Sequence, residues 1–170
     1  MDFKSLIREI PDYPKEGILF RDITTLIKDG EAYAALTDAI CKSLQGYDVD
    51  AIIGAEARGF IIGAPVAYAL GKGFIPARKP GKLPCDTEKA EYALEYGTAC
   101  LEIHSDAIQP GMRIAVVDDL IATGGTAKAI CDLVQRLGAN VVALRFAVEL
   151  EGLDGREVLS GYDVDSIIKY

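Results

Sequence analysis

Residues 114–126 read Ile114-Ala-Val-Val-Asp118-Asp119-Leu-Ile-Ala-Thr123-Gly124-Gly125-Thr126, and no other segment restricts the fold so tightly. Four apolar residues in a row predict a strand buried on both faces, as in a parallel sheet. Two adjacent carboxylates follow, at the expected end of that strand, which is the ligand edge of an open α/β sheet. Then comes a turn with two glycines, and Ala127, Ile130, Cys131, Val134 and Leu137 recur at helical spacing until Gly138 ends the helix. Glycines let backbone amides approach an anion, and the helix N-terminus behind them adds its dipole. One end of the segment accepts hydrogen bonds from hydroxyls or holds a metal. The other end binds phosphate. A sugar phosphate satisfies both.

The rest of the chain alternates strands and helices. A short helix is expected around residues 3–9, followed by Pro11, Pro14 and Gly17 and the apolar triplet Ile18, Leu19, Phe20. Residues 32–45 form a helix with Tyr33, Leu36, Ile40 and Leu44 on one face. Strands are predicted at 51–55, 74–77, 114–118 and 140–150, with a short terminal one at 166–169. Residues 59–70 make an apolar helix kinked or tightened near Pro65. Residues 80–97 show no clean period and read as a long loop or flexible ribbon. The fold class is therefore α/β, a central parallel sheet with right-handed crossovers and helices on both faces. The whole chain, 1–170, is one domain, with residues 1–30 as a small N-terminal unit.

Charge narrows the function. The net charge is −8, which argues against nucleic acid as the main partner. Yet residues 57–85 hold five cations (Arg58, Lys72, Arg78, Lys79 and Lys82) and no acid. A cationic island in an acidic protein suits a small polyanion; a solvated basic face is the plainer alternative. No apolar run is long enough to span a bilayer, and the N-terminus lacks a signal-peptide core. Cys41, Cys85, Cys100 and Cys131 show no C-x-x-C pair, and a cytoplasmic protein with free thiols is expected.

Two more segments carry chemistry. Gly54-Ala55-Glu56-Ala57-Arg58-Gly59 links a buried strand to a helix and offers backbone amides plus a guanidinium fork, a fit for a diffuse anion. An ordinary strand–helix turn with a surface arginine is the alternative. Arg78-Lys79-Pro80-Gly81-Lys82-Leu83-Pro84 is a basic loop stiffened by proline, and Tyr92-Ala-Leu-Glu95-Tyr96-Gly97 lies soon after it. A long loop of this kind suits a lid that excludes water. A strand ending in Asp-Asp could also serve a nucleotide triphosphatase, but that needs G-x-x-x-x-G-K-[ST], and the string is absent.

The 114–126 segment resembles the phosphoribosyl-pyrophosphate (PRPP) motif of the type I phosphoribosyltransferases. The resemblance narrows to the adenine-using members of that family through four segments: Pro14-Lys-Glu-Gly-Ile-Leu-Phe-Arg-Asp-Ile-Thr24, Glu56-Ala-Arg-Gly-Phe60, Arg78-Lys-Pro-Gly-Lys-Leu-Pro84 with Leu94-Glu-Tyr-Gly97, and Val116 to Thr126. It implies the family fold, with residues 1–30 as a hood and 80–97 as a flexible lid. It implies that Leu19, Phe20 and Arg21 cover the base, with Phe20 stacking on the purine. Glu95 would be the general acid/base. Ala55, Glu56, Ala57, Arg58, Lys79, Lys82 and Tyr96 would hold PRPP and its pyrophosphate, with Arg78 supplied by a dimer partner. Asp118 and Asp119 would take the ribose hydroxyls, and Ala122, Thr123, Gly124, Gly125 and Thr126 the 5-phosphate. The Glu56–Ala57 peptide would be cis, or at least strained, with pyrophosphate bound. The implied reaction joins adenine and PRPP to give AMP and pyrophosphate, with Mg²⁺ carried mainly by substrate oxygens and water, in a homodimer with no membrane or nucleic-acid partner. A 6-oxopurine transferase (xanthine, hypoxanthine or guanine) and a non-catalytic PRPP-sensing regulator are the alternatives.

Overall fold

The computed structural model describes residues 1–93 and 98–170. Along the chain run β1 (Arg8–Ile10), β2 (Phe20–Asp22), α1 (Thr24–Ile27), α2 (Gly30–Ser43), β3 (Ala51–Ala55), α3 (Arg58–Leu70), β4 (Gly73–Ala77), β5 (Thr87–Ala93) and β6 (Thr98–His104). Then follow β7 (Arg113–Ile121), α4 (Gly125–Arg136), β8 (Asn140–Glu149), α5 (Gly155–Val158) and β9 (Val164–Lys169). Five strands form a parallel sheet in the order β4-β3-β7-β8-β9. The chain steps outward from β3 to β4, then returns to β7 and builds the other way. The order therefore reverses between β3 and β7, where open α/β sheets leave a ligand crevice.

Both faces of the sheet are covered, which explains the unbroken apolar runs. Successive side chains of a strand point to opposite faces. Ile53, Ile114, Val116, Leu144 and Phe146 accordingly pack with Ile130, Leu133 and Val134 of α4. Ile52, Ala115, Val117, Ala143 and Ala147 pack with Leu36 and Ile40 of α2 and Ile62 and Val66 of α3. Pro65 sits inside α3 without ending it.

Three expectations need correction. The N-terminal helix is only a 3-10 turn, Lys4–Leu6. The chain then enters β1, which pairs antiparallel with β2, and the Arg8 guanidinium donates to Asp22 Oδ2 across that pair. Residues 80–97 are not one long loop: β5 and β6 are paired antiparallel from Thr87↔His104 to Ala93↔Thr98. Burial of Ala90, Leu101 and Ile103 in the α4-side core supplies the reason, because one buried face is enough to fix a strand and its register. Lastly, β7 does not end at the acid pair. It continues to Ile121, because β8 is long enough to pair with it at Leu120↔Val148 and Ile121↔Glu149. Its pairing with β3 stops at Val116, so the acids lie on the stretch that overhangs the shorter neighbour.

Candidate active site

A cavity of about 270 Å³ opens at that overhang, lined by residues 55–58 on one side, Asp118 to Ala127 along its floor, and Phe146. Only 6% of Asp118 and 7% of Asp119 is exposed. Asp118 Oδ1 accepts the Asp119 amide at 2.9 Å. Burial first, and then the negative charge of Asp119, push the Asp118 carboxyl well above the usual carboxylate range. Asp119 is also raised by burial, against the pull of the Arg58 guanidinium, whose Nε lies 2.8 Å from Asp119 Oδ2. Two buried, incompletely paired acids are a costly arrangement for the fold alone. They suit a ligand that brings hydroxyl donors and positive charge.

The glycine turn at 123–126 closes the other end. Gly124 has φ +80° and caps α4 without any side-chain cap. The first hydrogen bond into the helix runs from Lys128 N to Gly124 O, so the preceding amides have no intrahelical acceptor. Residues 123–127 line the cavity. The glycines have a further role that their spacing did not reveal. A Cβ on Gly124 would lie 2.6 Å from Gly155 O, and one on Gly155 would lie 2.3 Å from Ala122 O. The turn is thus wedged against the start of α5, and Gly155 supports the site from far along the chain.

The same holds across the cavity. Gly59 would carry a Cβ 2.2 Å from Asp118 Oδ1, and Gly54 one 3.0 Å from both Gly59 O and Val117 O. These glycines allow the N-terminus of α3 to press onto the acid-bearing stretch of β7. Between them the Glu56–Ala57 peptide is cis. The Glu56 carboxylate faces the basic loop, accepting Arg78 Nε at 3.0 Å and Lys79 N at 3.1 Å. Burial would raise this carboxyl, but these hydrogen bonds and the charges of Arg78 and Lys82 bring it below its ordinary value.

The remaining expected residues lie as follows. Arg58 reaches toward the hood, its guanidinium 5.7 Å from the Phe20 ring centre, and Tyr13 meets Phe20 edge-on at 5.2 Å. Leu19 is exposed. The Arg21 side chain is engaged elsewhere, paired with Glu9 and stacked 3.9 Å over the Tyr170 ring, so only its backbone is left to read a base. Arg78 is held within its own chain by Glu56 and by Lys82 O. Lys79 and Lys82 make no side-chain ion pair among the described residues. None of Arg78, Lys79 and Lys82 lines the cavity. Glu95 and Tyr96 lie outside the described residues. Phe146 and Gly155 were missed: one is an unmarked member of an apolar strand, the other a lone glycine in a surface stretch.

The phosphoribosyl transferase domain model matches residues 24–169. An adenine phosphoribosyltransferase of Desulfitobacterium hafniense (strain Y51) is 58% identical over the full chain and 98% of its own length. The crystal structure of adenine phosphoribosyltransferase from Thermoanaerobacter pseudethanolicus superposes with a TM-score of 0.97 at 53% identity, covering 99% of this chain and 98% of that one. The Saccharomyces cerevisiae enzyme, complexed with an imino-altritol bisphosphate and adenine, gives 0.92 at 40% identity, with 97% and 96% covered.

Proposed function

The chain belongs to the phosphoribosyltransferase family, and we propose that it transfers the 5-phosphoribosyl group of PRPP to adenine, releasing AMP and pyrophosphate in purine salvage. One observation carries the reading of the site. A single cavity holds a buried acid pair at one end and uncapped helix amides at the other, the two recognition elements of a ribose 5-phosphate. The choice of adenine rests on relatives named adenine phosphoribosyltransferase that match over their full length.

In this reading Asp118 and Asp119 accept hydrogen bonds from the ribose hydroxyls, and the amides of residues 122–126 take the 5-phosphate. The sugar is thereby fixed while a purine nitrogen attacks the anomeric carbon and the bond to pyrophosphate oxygen breaks. Positioning of this kind removes much of the entropic barrier. Positive charge developing on the ring lies near the two acids, and the negative charge developing on the departing pyrophosphate is met by Arg58, Lys79 and Lys82. Arg58 stands between Asp119 and Phe20, so it can exchange Asp119 for a pyrophosphate oxygen without leaving the cavity wall. Phe20 and the backbone of residues 19–21 cover the base. Glu95 moves the proton on the purine imidazole, and Tyr96 binds PRPP.

The donor set of the cavity fits magnesium carried in by the substrate. Its two adjacent carboxylates offer hard oxygen atoms but too few for a cage, and this ion ordinarily retains water and phosphate oxygens. When bound it neutralises charge on the departing pyrophosphate. A homodimer is part of the same reading, supported by Ile61 and Tyr68, seven residues apart on one face of α3 and exposed despite their apolar character. Cytoplasmic residence is supported by four cysteines that are free thiols. No helix among the described residues is long and apolar enough to cross a membrane.

The test is incubation with PRPP, Mg²⁺ and adenine, hypoxanthine, guanine or xanthine in turn. AMP is expected to form far faster than any 6-oxopurine nucleotide, because a site built for one edge leaves buried polar groups unpaired with the other. Equal or better use of hypoxanthine overturns the assignment.

A further inference from the structure

We propose that Glu102 is a positioning residue whose buried carboxylate shapes the basic loop 78–83 and so places Lys79 and Lys82 for the pyrophosphate end of PRPP. The proposal rests on the functional reading above for the identity of the anion, and on the following geometry for the rest.

Glu102 lies on β6 between Leu101 and Ile103, which turn into the α4-side core. Alternation along a strand sends the side chain of Glu102 to the opposite face. A carboxylate there would ordinarily meet water, yet only 2% of Glu102 is exposed. What accompanies its burial is the basic loop itself. Oε1 accepts the Gly81 amide at 2.9 Å. Oε2 accepts Thr87 Oγ1 at 3.3 Å and pairs with Lys89 Nζ at 3.4 Å. The main chain of the same residue exchanges two hydrogen bonds with Arg78, Arg78 N to Glu102 O at 2.9 Å and Glu102 N to Arg78 O at 2.7 Å.

These contacts fix the loop at its start and at its tip. Between them the chain turns back on itself, with Lys82 N donating to Lys79 O and Gly81 at φ +77°. A positive φ is reached cheaply only by glycine, so the tip presents its amide to Glu102 in one defined conformation. Glu56 grips the loop from the cavity side through Arg78 Nε and Lys79 N. The basic loop is thus held by two carboxylates, one from the cavity wall and one from beneath. Glu56 takes up the Arg78 guanidinium and the Lys79 amide, and Glu102 the Gly81 amide, while the ammonium groups of Lys79 and Lys82 pair with no acid among the described residues. Burial alone would raise the Glu102 carboxyl, yet its donors bring it below its ordinary value, as expected for a carboxylate that stays ionised under the loop.

The experiment compares the full-length enzyme with Glu102→Gln, which retains size but loses the charge and one of the two acceptor oxygens. Steady-state KM values for PRPP and adenine are measured separately, with amide hydrogen exchange over residues 78–83 as an independent readout. Loss of charge-assisted hydrogen bonding at the tip should raise KM for PRPP by about tenfold or more, leave KM for adenine within about twofold, and accelerate exchange at Gly81. Lys82→Ala should cost the parent PRPP affinity but cost the Glu102→Gln enzyme little, since an already misplaced cation has little to lose. If Glu102→Gln fails to fold, Glu102→Asp keeps the charge and shortens the reach, and the same pattern is required of it. A folded variant with parental KM for PRPP and parental exchange overturns the proposal, as does an equal rise in both KM values. A parent enzyme that makes no AMP overturns the functional reading instead, and the exchange experiment then still decides whether Glu102 shapes the loop.

Discussion

Gly59→Ala adds one methyl group to a buried position at the start of α3, and it should disable the acid pair while sparing the fold. The new Cβ would lie 2.2 Å from Asp118 Oδ1 and 3.0 Å from its Cγ. Ordinary contact requires roughly 3.5 Å, so carboxylate and helix must part by more than about 1 Å. Asp118 is nearly buried and is tied to the Asp119 amide, so the displacement moves it out of line with the ribose or drags Arg58 with the helix. Overpacking costs about 1–3 kcal/mol, while replacing a helical glycine by alanine returns up to about 1 kcal/mol. The net cost is about 0–3 kcal/mol, less than the roughly 5–15 kcal/mol that holds a typical domain folded. Misplacing a charged acceptor forfeits about 1.5–3 kcal/mol of binding, or roughly 10- to 150-fold in KM for PRPP. The assay pairs steady-state kinetics in each substrate with thermal unfolding, using Gly30→Ala as control, since a Cβ at Gly30 meets nothing within 4 Å. Gly59→Ala with a parental KM for PRPP and parental kcat would refute the reasoning. It would mean that α3 can yield without disturbing the acids, or that the acids do not hold the sugar.

Because burial raises the Asp118 carboxyl in the folded state, the fold loses stability as pH rises from the unfolded value, about 4, through the raised one. Asp118→Asn should therefore melt no lower than the parent at neutral pH while using PRPP poorly, and a lowered Tm there would contradict this. Gly155→Ala should push the new Cβ against Ala122 O and weaken AMP binding by displacing the phosphate turn, as titration calorimetry can measure. Glu95→Gln should slow single-turnover AMP formation by about 10²–10⁴-fold with little change in PRPP affinity; a parental rate removes Glu95 from the chemistry. Mixed dimers of Arg78→Ala and Asp118→Asn chains should recover one native site if Arg78 serves its partner. No recovery despite subunit exchange leaves Arg78 to the Glu56 contact in its own chain.

The parts of the molecule legible in the sequence are those encoded by neighbours. The apolar run before Asp118 is a strand because both its faces are covered, and Gly138 ends α4 with φ +81° as its position suggests. The hairpin β5–β6 was hidden because its alternation is weak: among the described residues Ala90, Leu101 and Ile103 are buried on one side with Tyr92 packed against them, and the other side carries a buried carboxylate, Glu102. The extension of β7 beyond the acids was hidden for a different reason. It depends on the length of β8, a strand that begins after the intervening helix. Arg21 shows the converse case. A cation in the hood string invites a role toward substrate, but its partner, Tyr170, is the last residue of the chain and no local pattern announces it.

The glycines carry the argument furthest. Glycines in a turn before a helix are naturally read as room for an anion, and the cavity does place uncapped amides beside Gly124 and Gly125. Yet the absent Cβ atoms of Gly54, Gly59, Gly124 and Gly155 each leave space for another part of the same chain: a carbonyl of β7 or α3, the Asp118 carboxylate, the backbone of α5, or Ala122 O. The cavity is therefore narrow and well defined because its walls touch at positions where no side chain fits. An anion-binding site made of backbone amides has no side-chain charges to tolerate misplacement, so it depends on this close packing for its geometry. The lysines of the basic loop are the opposite case. They are mobile point charges on long stems, and their placement has to come from the main chain beneath them, which is the part that Glu56 and Glu102 hold.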